Sequence, residues 1–236
     1  MNRFARLVPV VVALALPAWA GELDRVGDLS QEQFHRLSED LGATLSYKGV
    51  TPATALGLAG FDVGLEISGT GIRHSSVFSQ AGGGAPSTLY VPKLHIYKGL
   101  VAGLDVGAFV GAISSLNATT YGADLRYAIL DDKLAAPAVA LRLSGTKSSG
   151  GGQVDVSTVA GDLMVSKRLT IVTPYVGAGV VRVSSGAKAG TLSDESFSKS
   201  RIFGGFNANF GVLNLAFEAE GMGGNTTLSA KAGWRF

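Results

Sequence analysis

The chain has three histidines, His35, His74 and His95, and no cysteine. No histidine stands at metal-ligand spacing from another, so a zinc-type site is not indicated. His74 is followed by Ser75 and Ser76. A serine nucleophile needs a base within hydrogen-bond reach. Adjacency in a loop does not guarantee that geometry, and no elbow motif surrounds either serine. An enzyme modifying envelope lipids is the alternative that would use this cluster. No phosphate-binding glycine loop, nucleotide fingerprint or zinc-protease motif is present. Catalytic, metal and cofactor residues are therefore all assigned as none. His35 reads as a solvated helix residue, and His95 as part of a polar interior with Lys93 and Tyr97.

The residues with more to say are charges that recur at every second position. Asp62, Glu66, Asp105, Asp124, Arg126, Arg142, Glu218, Glu220, Lys231 and Arg235 share one phase, among many Gly and Ser. Val, Leu, Ile, Ala and aromatics fill the other. Successive side chains of a strand point to opposite faces. Each such segment is then a strand with one charged and one apolar face. The last residues are the clearest case. Thr226, Leu228, Ala230, Ala232, Trp234 and Phe236 oppose Thr227, Ser229, Lys231, Gly233 and Arg235.

Ten strands are expected, at roughly 56–70, 87–98, 101–114, 118–130, 137–147, 153–166, 170–184, 199–211, 213–222 and 226–236. The sixth changes face near Ser157-Thr158, which suggests a bulge. The seventh contains Pro174 and alternates poorly. The connections alternate too: 71–86, 115–117, 148–152, 185–198 and 223–225 include the long ones, and those between are mostly tight. Ahead of the strands, residues 21–42 are acidic. Ser30 with Gln33 fits a capping box, and Leu29, Phe34, Leu37 and Leu41 fall near helical spacing. A short amphipathic helix is expected at about 30–41, ended by Gly42.

Residues 1–20 stand apart. Arg3 and Arg6 precede an apolar run from Leu7 to Leu16, and Ala18-Trp19-Ala20 offers small residues before Gly21. This is the layout of a signal peptide cleaved after Ala20. The run is short for a membrane anchor, which needs about 20 residues. The chain holds 20 Lys+Arg and 18 Asp+Glu. Without the two arginines of residues 1–20 the balance is zero, so no nucleic-acid footprint is indicated.

An exported chain with alternating strands, an even strand count and alternating loop lengths fits a closed transmembrane β-barrel. The terminal aromatic Phe236, with Trp234 and further apolar residues at every second position before it, resembles the C-terminal signal that the barrel-assembly machinery reads in bacterial outer-membrane proteins. Thr173-Pro174-Tyr175-Val176-Gly177-Ala178-Gly179 looks like strands of small outer-membrane barrels. The resemblance implies an all-β, closed antiparallel barrel in the Gram-negative outer membrane. Its partners would be membrane lipids, lipopolysaccharide and the assembly machinery, with a small solute of unknown kind possible. Its role would be structural, surface interaction or solute passage. A soluble periplasmic lipid-binding barrel, with the apolar face turned inward, is the other alternative. The expected layout is a signal peptide at 1–20, a periplasmic segment at 21–55 and a barrel at 56–236, the segment's helix lying on the periplasmic side as a linker or entering the barrel mouth as a plug. The first and last strands must pair on closure. Asp62 should then neighbour Arg235 and Glu66 neighbour Lys231, either as a structural charge ladder or as the lining of a polar pore.

Trp234 and Phe236 are the expected assembly signal. Changing Phe236 to Ser should lower the amount of folded barrel in outer-membrane fractions and raise degradation; unchanged levels at normal expression would remove that role.

Overall fold

A computed structural model describes residues 21–133 and 136–236. The expected signal peptide lies outside them. The ten strands are β1 (Phe61–Gly71), β2 (Thr88–Gly99), β3 (Leu104–Ile113), β4 (Ala118–Leu130), β5 (Ala138–Gly150), β6 (Val154–Ser166), β7 (Val172–Ala187), β8 (Glu195–Phe210), β9 (Leu213–Met222) and β10 (Asn225–Arg235). Each pairs antiparallel with its chain neighbours, and β1 pairs with β10 to close the barrel. β1 starts at Phe61 rather than near 56, because residues 57–60 form a turn closed by Gly60 N–H donating to the Gly57 carbonyl.

The apolar face points outward. Leu65, Leu143, Val159, Ile202 and Leu228 are 60–66% exposed, while the charged face is buried in the lumen. That polarity suits a wall solvated by hydrocarbon, and it is the reverse of what a soluble lipid-binding barrel requires. Among the described residues no helix is long and apolar enough to cross a membrane; the strands do the crossing. β1 begins and β10 ends at one rim, here the near rim, which carries the connections 100–103, 131–137, 167–171 and 211–212. The far rim carries 72–87, 114–117, 151–153, 188–194 and 223–224. The first of these contains a short helix, α2 (Ser75–Gln80).

The N-terminal helix, α1 (Gln31–Leu45), starts at the expected capping box. Ser30 N–H donates to Gln33 Oε1 at 2.8 Å, and Gln33 N–H donates back to Ser30 Oγ at 3.3 Å. Gly42 does not end it. A Cβ at Gly42 would lie 2.6 Å from Val183 Cγ2, so this glycine lets the helix approach β7 closely. The helix runs one further turn to Leu45.

Of the two expected places for the segment at 21–55, the structure has it inside the barrel, where it forms a plug. Residues 21–45 are bonded to far-rim connections, and residues 46–56 run through the lumen to the near rim. Gly21 N–H bonds the Ser115 carbonyl, Arg25 N–H the Ala81 carbonyl, and Leu23 pairs with Gly152. Plug and barrel share one interior.

This explains the two irregular strands. β6 has no bulge; its pairing with β5 and β7 is continuous. The register shift in the sheet falls instead between β4 and β5, at Ala128/Leu130. The apparent phase change in β6 arises because Val154 and Val156 point inward, against α1. Val181 and Val183 of β7 and Leu89 and Val91 of β2 do the same, joining Phe34, Leu37 and Leu41 in one apolar cluster. Pro174 faces outward on β7. The lumen thus has an apolar tier at the far end and a charged tier below it.

Burying a Leu or Phe side chain contributes about 1.5–3 kcal/mol, so the apolar tier holds α1 in place. Leu37→Ala should cost about 2–5 kcal/mol and lower the temperature at which the folded, fast-migrating band converts to the unfolded one on gels. Leu143→Ala, on the outer wall, should shift it less. Equal shifts would show that α1 is not part of the folded core.

Candidate functional site

The charged tier contains Asp62, Glu66, Asp105, Asp124, Asp162, Glu218 and Glu220, against Lys48, Lys93, Arg126, Arg142, Arg201, Lys231 and Arg235. Seven acids meet seven bases. All but Arg235 are nearly or fully buried. A charge moved out of water into a narrow lumen must be paired and hydrogen-bonded, or its desolvation cost is not recovered.

The pairing is arranged around the plug. Arg126 donates to Asp105 Oδ2 at 2.6 Å and, with its other nitrogen, to the Pro52 carbonyl at 2.6 Å and Thr51 Oγ1 at 3.1 Å. Arg201 donates to Asp162 Oδ1 at 2.7 Å and to the Tyr47 carbonyl at 2.8 Å. Arg142 shares Asp162 through Nε at 2.9 Å, and its guanidinium carbon sits 4.9 Å from the Phe203 ring centroid. Lys48, on the plug itself, reaches Glu220 at 3.2 Å and donates to Ser46 Oγ at 2.6 Å and to the Ala43 carbonyl. Tyr47 Oη donates to Asp124 Oδ1 at 2.7 Å and lies 2.9 Å from Tyr97 Oη. Tyr175 donates to Glu218 at 3.0 Å.

Two glycine and valine positions show how closely the plug is fitted. A Cβ on Gly49 would lie 2.1 Å from an Arg142 nitrogen. Val50 has φ 43°, a conformation a β-branched residue adopts only when its surroundings impose it.

The strand register aligns Asp62 with Arg235 and Glu66 with Lys231. The side chains distribute differently. Lys231 turns toward the near rim and donates to Asp62 Oδ2 at 2.9 Å, with Arg235 3.6 Å from the same oxygen. Glu66 does not meet Lys231. It is also the register partner of Lys93 on β2. Lys93 donates to it at 2.7 Å, and His95 Nδ1 lies 2.6 Å from its other oxygen. The outward Trp234 is 58% exposed; Phe236 stands beside Phe61, ring centroids 5.9 Å apart.

At the far rim a second group of polar contacts ties α1 to the wall. His35 is not simply solvated: its Nδ1 lies 2.8 Å from Glu195 Oε2 and its Nε2 3.5 Å from Glu39. Glu39 also meets Lys199. Burial alone would raise the Glu39 carboxyl, but Lys199, His35 and His74 outweigh it and hold it below the usual glutamate range. A depressed carboxyl stabilises the fold above its unfolded value, and that contribution is lost as pH falls through the folded one. Asp40, fully buried, accepts from Arg73 N–H, His74 N–H at 2.8 Å and Asn225 Nδ2 at 2.7 Å. His74 Nδ1 lies 3.2 Å from the same carboxylate. His74 stands at the N-cap position of α2 but turns its ring to an acid rather than to the helix; the structure gives neither Ser75 nor Ser76 a contact with that ring. Among the described residues no group of three or more His, Asp or Glu could hold a metal ion.

Asp162 and Arg201 were legible at inward positions of β6 and β8 but were not singled out. Lys48, Tyr47 and Thr51 carried no local signal, since residues 46–56 have no periodicity. On the outer wall, Leu65, Ile67, Leu94, Val110, Leu215 and Phe217 line an apolar groove of about 740 Å³.

No protein-family model and no curated protein matches the chain. Among solved structures, Ail, the attachment invasion locus protein of Yersinia pestis, is 11% identical over 75% of this chain and 98% of its own, with a TM-score of 0.34. Neisserial surface protein A is 12% identical over 74% and 95%, with a TM-score of 0.33. The translocator domain of the autotransporter NalP from Neisseria meningitidis is 13% identical over 87% and 95%, with a TM-score of 0.37. The barrel class rests on the strand pairing above.

Removing one partner of a buried ion pair costs about 3–5 kcal/mol. Asp162→Asn, which deprives both Arg142 and Arg201, should reach that range in urea unfolding from detergent or lipid. The exchange of Glu66→Lys with Lys231→Glu should recover nothing relative to Glu66→Lys alone, because Glu66 is held by Lys93 and His95. Recovery by the exchange would place Lys231 on Glu66 after all.

Proposed function

We propose that this protein is an outer-membrane barrel closed by its own N-terminal segment, with a structural or surface-interaction role. One observation carries the reading: Tyr47, Lys48, Val50 and Thr51 are buried in the lumen and bonded to the walls that would have to line a pore. A charged interior could line a polar channel, but here the carboxylates are bonded to the plug or to side chains of other strands. Small-solute passage would require the plug to leave. An enzymatic role receives no support from the His74 environment, where the imidazole faces Asp40 rather than a serine.

The location is argued from the wall. Its outward apolar side chains suit hydrocarbon, with lipid and lipopolysaccharide chains covering the groove. Residues 1–20 would direct export and be removed after Ala20. Trp234 and Phe236 would engage the barrel-assembly machinery. No nucleic acid is implied.

Refolded protein in planar bilayers should show no sustained conductance, with insertion checked by heat-dependent gel migration of the same vesicles. A chain lacking residues 21–56, shown to be folded by the same gel assay, should conduct. Stable channel steps from the intact chain would overturn the closed reading, and recovery of the protein in a detergent-free periplasmic extract would overturn the location.

A further inference from the structure

The plug has a direction. Read backward from β1, the chain leaves the near rim at residues 57–60, where Lys98 Nζ donates to the Gly60 carbonyl at 3.2 Å. Leu56 N–H donates to Asp105 within the lumen at 3.1 Å. Thr51 and Pro52 meet Arg126, and Thr51 also meets Arg235 at 3.1 Å. Tyr47 meets Arg201, and Ser46 lies 3.4 Å from Glu220. Eleven residues, 46–56, extend at most about 3.3–3.6 Å each, enough to cross a hydrocarbon core of about 30 Å.

Beyond them α1 and the residues before it are bonded to every one of the far-rim connections or the strand ends beside them. Arg25 meets Ala81 in 72–87, and Gly21 meets Ser115 in 114–117. Leu23 accepts from Gln153 in 151–153. Gln31 donates to Ser193 in 188–194 at 3.1 Å, and Asp40 accepts from Asn225 beside 223–224 at 2.7 Å. All five connections lie at the rim opposite β10's last residue. Residues 21–30 are thus at one end of the barrel and residue 236 at the other.

The orientation rests on the proposed outer-membrane function. Such barrels keep short turns on the periplasmic side and longer loops outside. Two-residue turns occur at both rims, 211–212 and 223–224, but the one long connection, residues 72–87 with α2, lies at the far rim, while the longest at the near rim is 131–137. We infer that the barrel carries its own N-terminal segment across the membrane, so that residues 21–30 and the first turn of α1 are displayed on the cell surface. Glu22, Asp24, Asp28 and Glu32 are exposed there, with Arg25 paired to Asp28 and Arg36 to Glu32, giving the cell surface a charged patch in which acids outnumber bases. The lumen is built for this passenger. Without Lys48 its seven acids would face six bases.

The chain has no cysteine, so single replacements report one place each. Asp28→Cys, Thr191→Cys and Val212→Cys would be labelled in intact cells with a membrane-impermeant maleimide, then again after permeabilisation. Heat-dependent gel migration confirms that each variant is folded. Asp28→Cys on α1's approach and Thr191→Cys on the far rim should be labelled in intact cells to the same extent. Val212→Cys should be labelled only after permeabilisation. Labelling at Thr191→Cys but not at Asp28→Cys would overturn the inference while leaving the outer-membrane reading intact. Labelling of Val212→Cys alone in intact cells would reverse the orientation and overturn it too. Fractionation away from the outer membrane would defeat the proposed function itself, and this inference with it.

Discussion

A peptide backbone in hydrocarbon has no water to bond, so every amide must find another amide. The pairing of β1 with β10 meets that demand, and everything else in this protein follows from it. Closing ten strands fixes the bore. A bore of that size is too narrow to hydrate fourteen charges freely. Its charges must therefore neutralise one another, and Lys48 of the segment at 46–56 completes the neutralisation from within. Arg126, Arg201 and Arg235 each hold one hand on a wall carboxylate and the other on the plug.

The strands were legible because lipid and lumen impose opposite demands on alternate residues. Leu228, Ala230 and Ala232 against Ser229 and Lys231 admit one pairing face only. The closing register followed from the same pattern, since a slip of one residue would turn Lys231 into the bilayer. The capping box of α1 was equally local: Ser30 and Gln33 bond each other whatever the helix packs against.

What was not legible depends on distance. The partners of Lys231 and Glu66 are decided by which base reaches a carboxylate first, and Lys93 lies across the other edge of β1. The path of residues 46–56 has no periodicity, because an irregular chain surrounded on all sides by one wall has no preferred face. The signal that could have revealed it sat elsewhere. Val154, Val156, Val181, Val183, Leu89 and Val91 are apolar at positions where a hydrated lumen would carry Ser or Asp. Strands that turn apolar on both faces over half their length imply something apolar between them. The phase change in β6 is the trace of α1, and the strand's pairing with β5 and β7 runs on unbroken.

The closing pair also joins the first strand to the last: Lys231 and Asp62 are 169 residues apart in sequence. Local hairpins form early, because their loops are short, while contacts of such separation are slow to form. Until they do, β1 and β10 are two open edges. The plug is synthesised ahead of both and reaches β2, β3, β4, β8 and β10 through its own hydrogen bonds. A segment that binds successive staves from within shortens the search by which the first finds the last. It is a mandrel for the barrel as much as its stopper, and its loss would register in the rate of assembly before it registered in the finished shape.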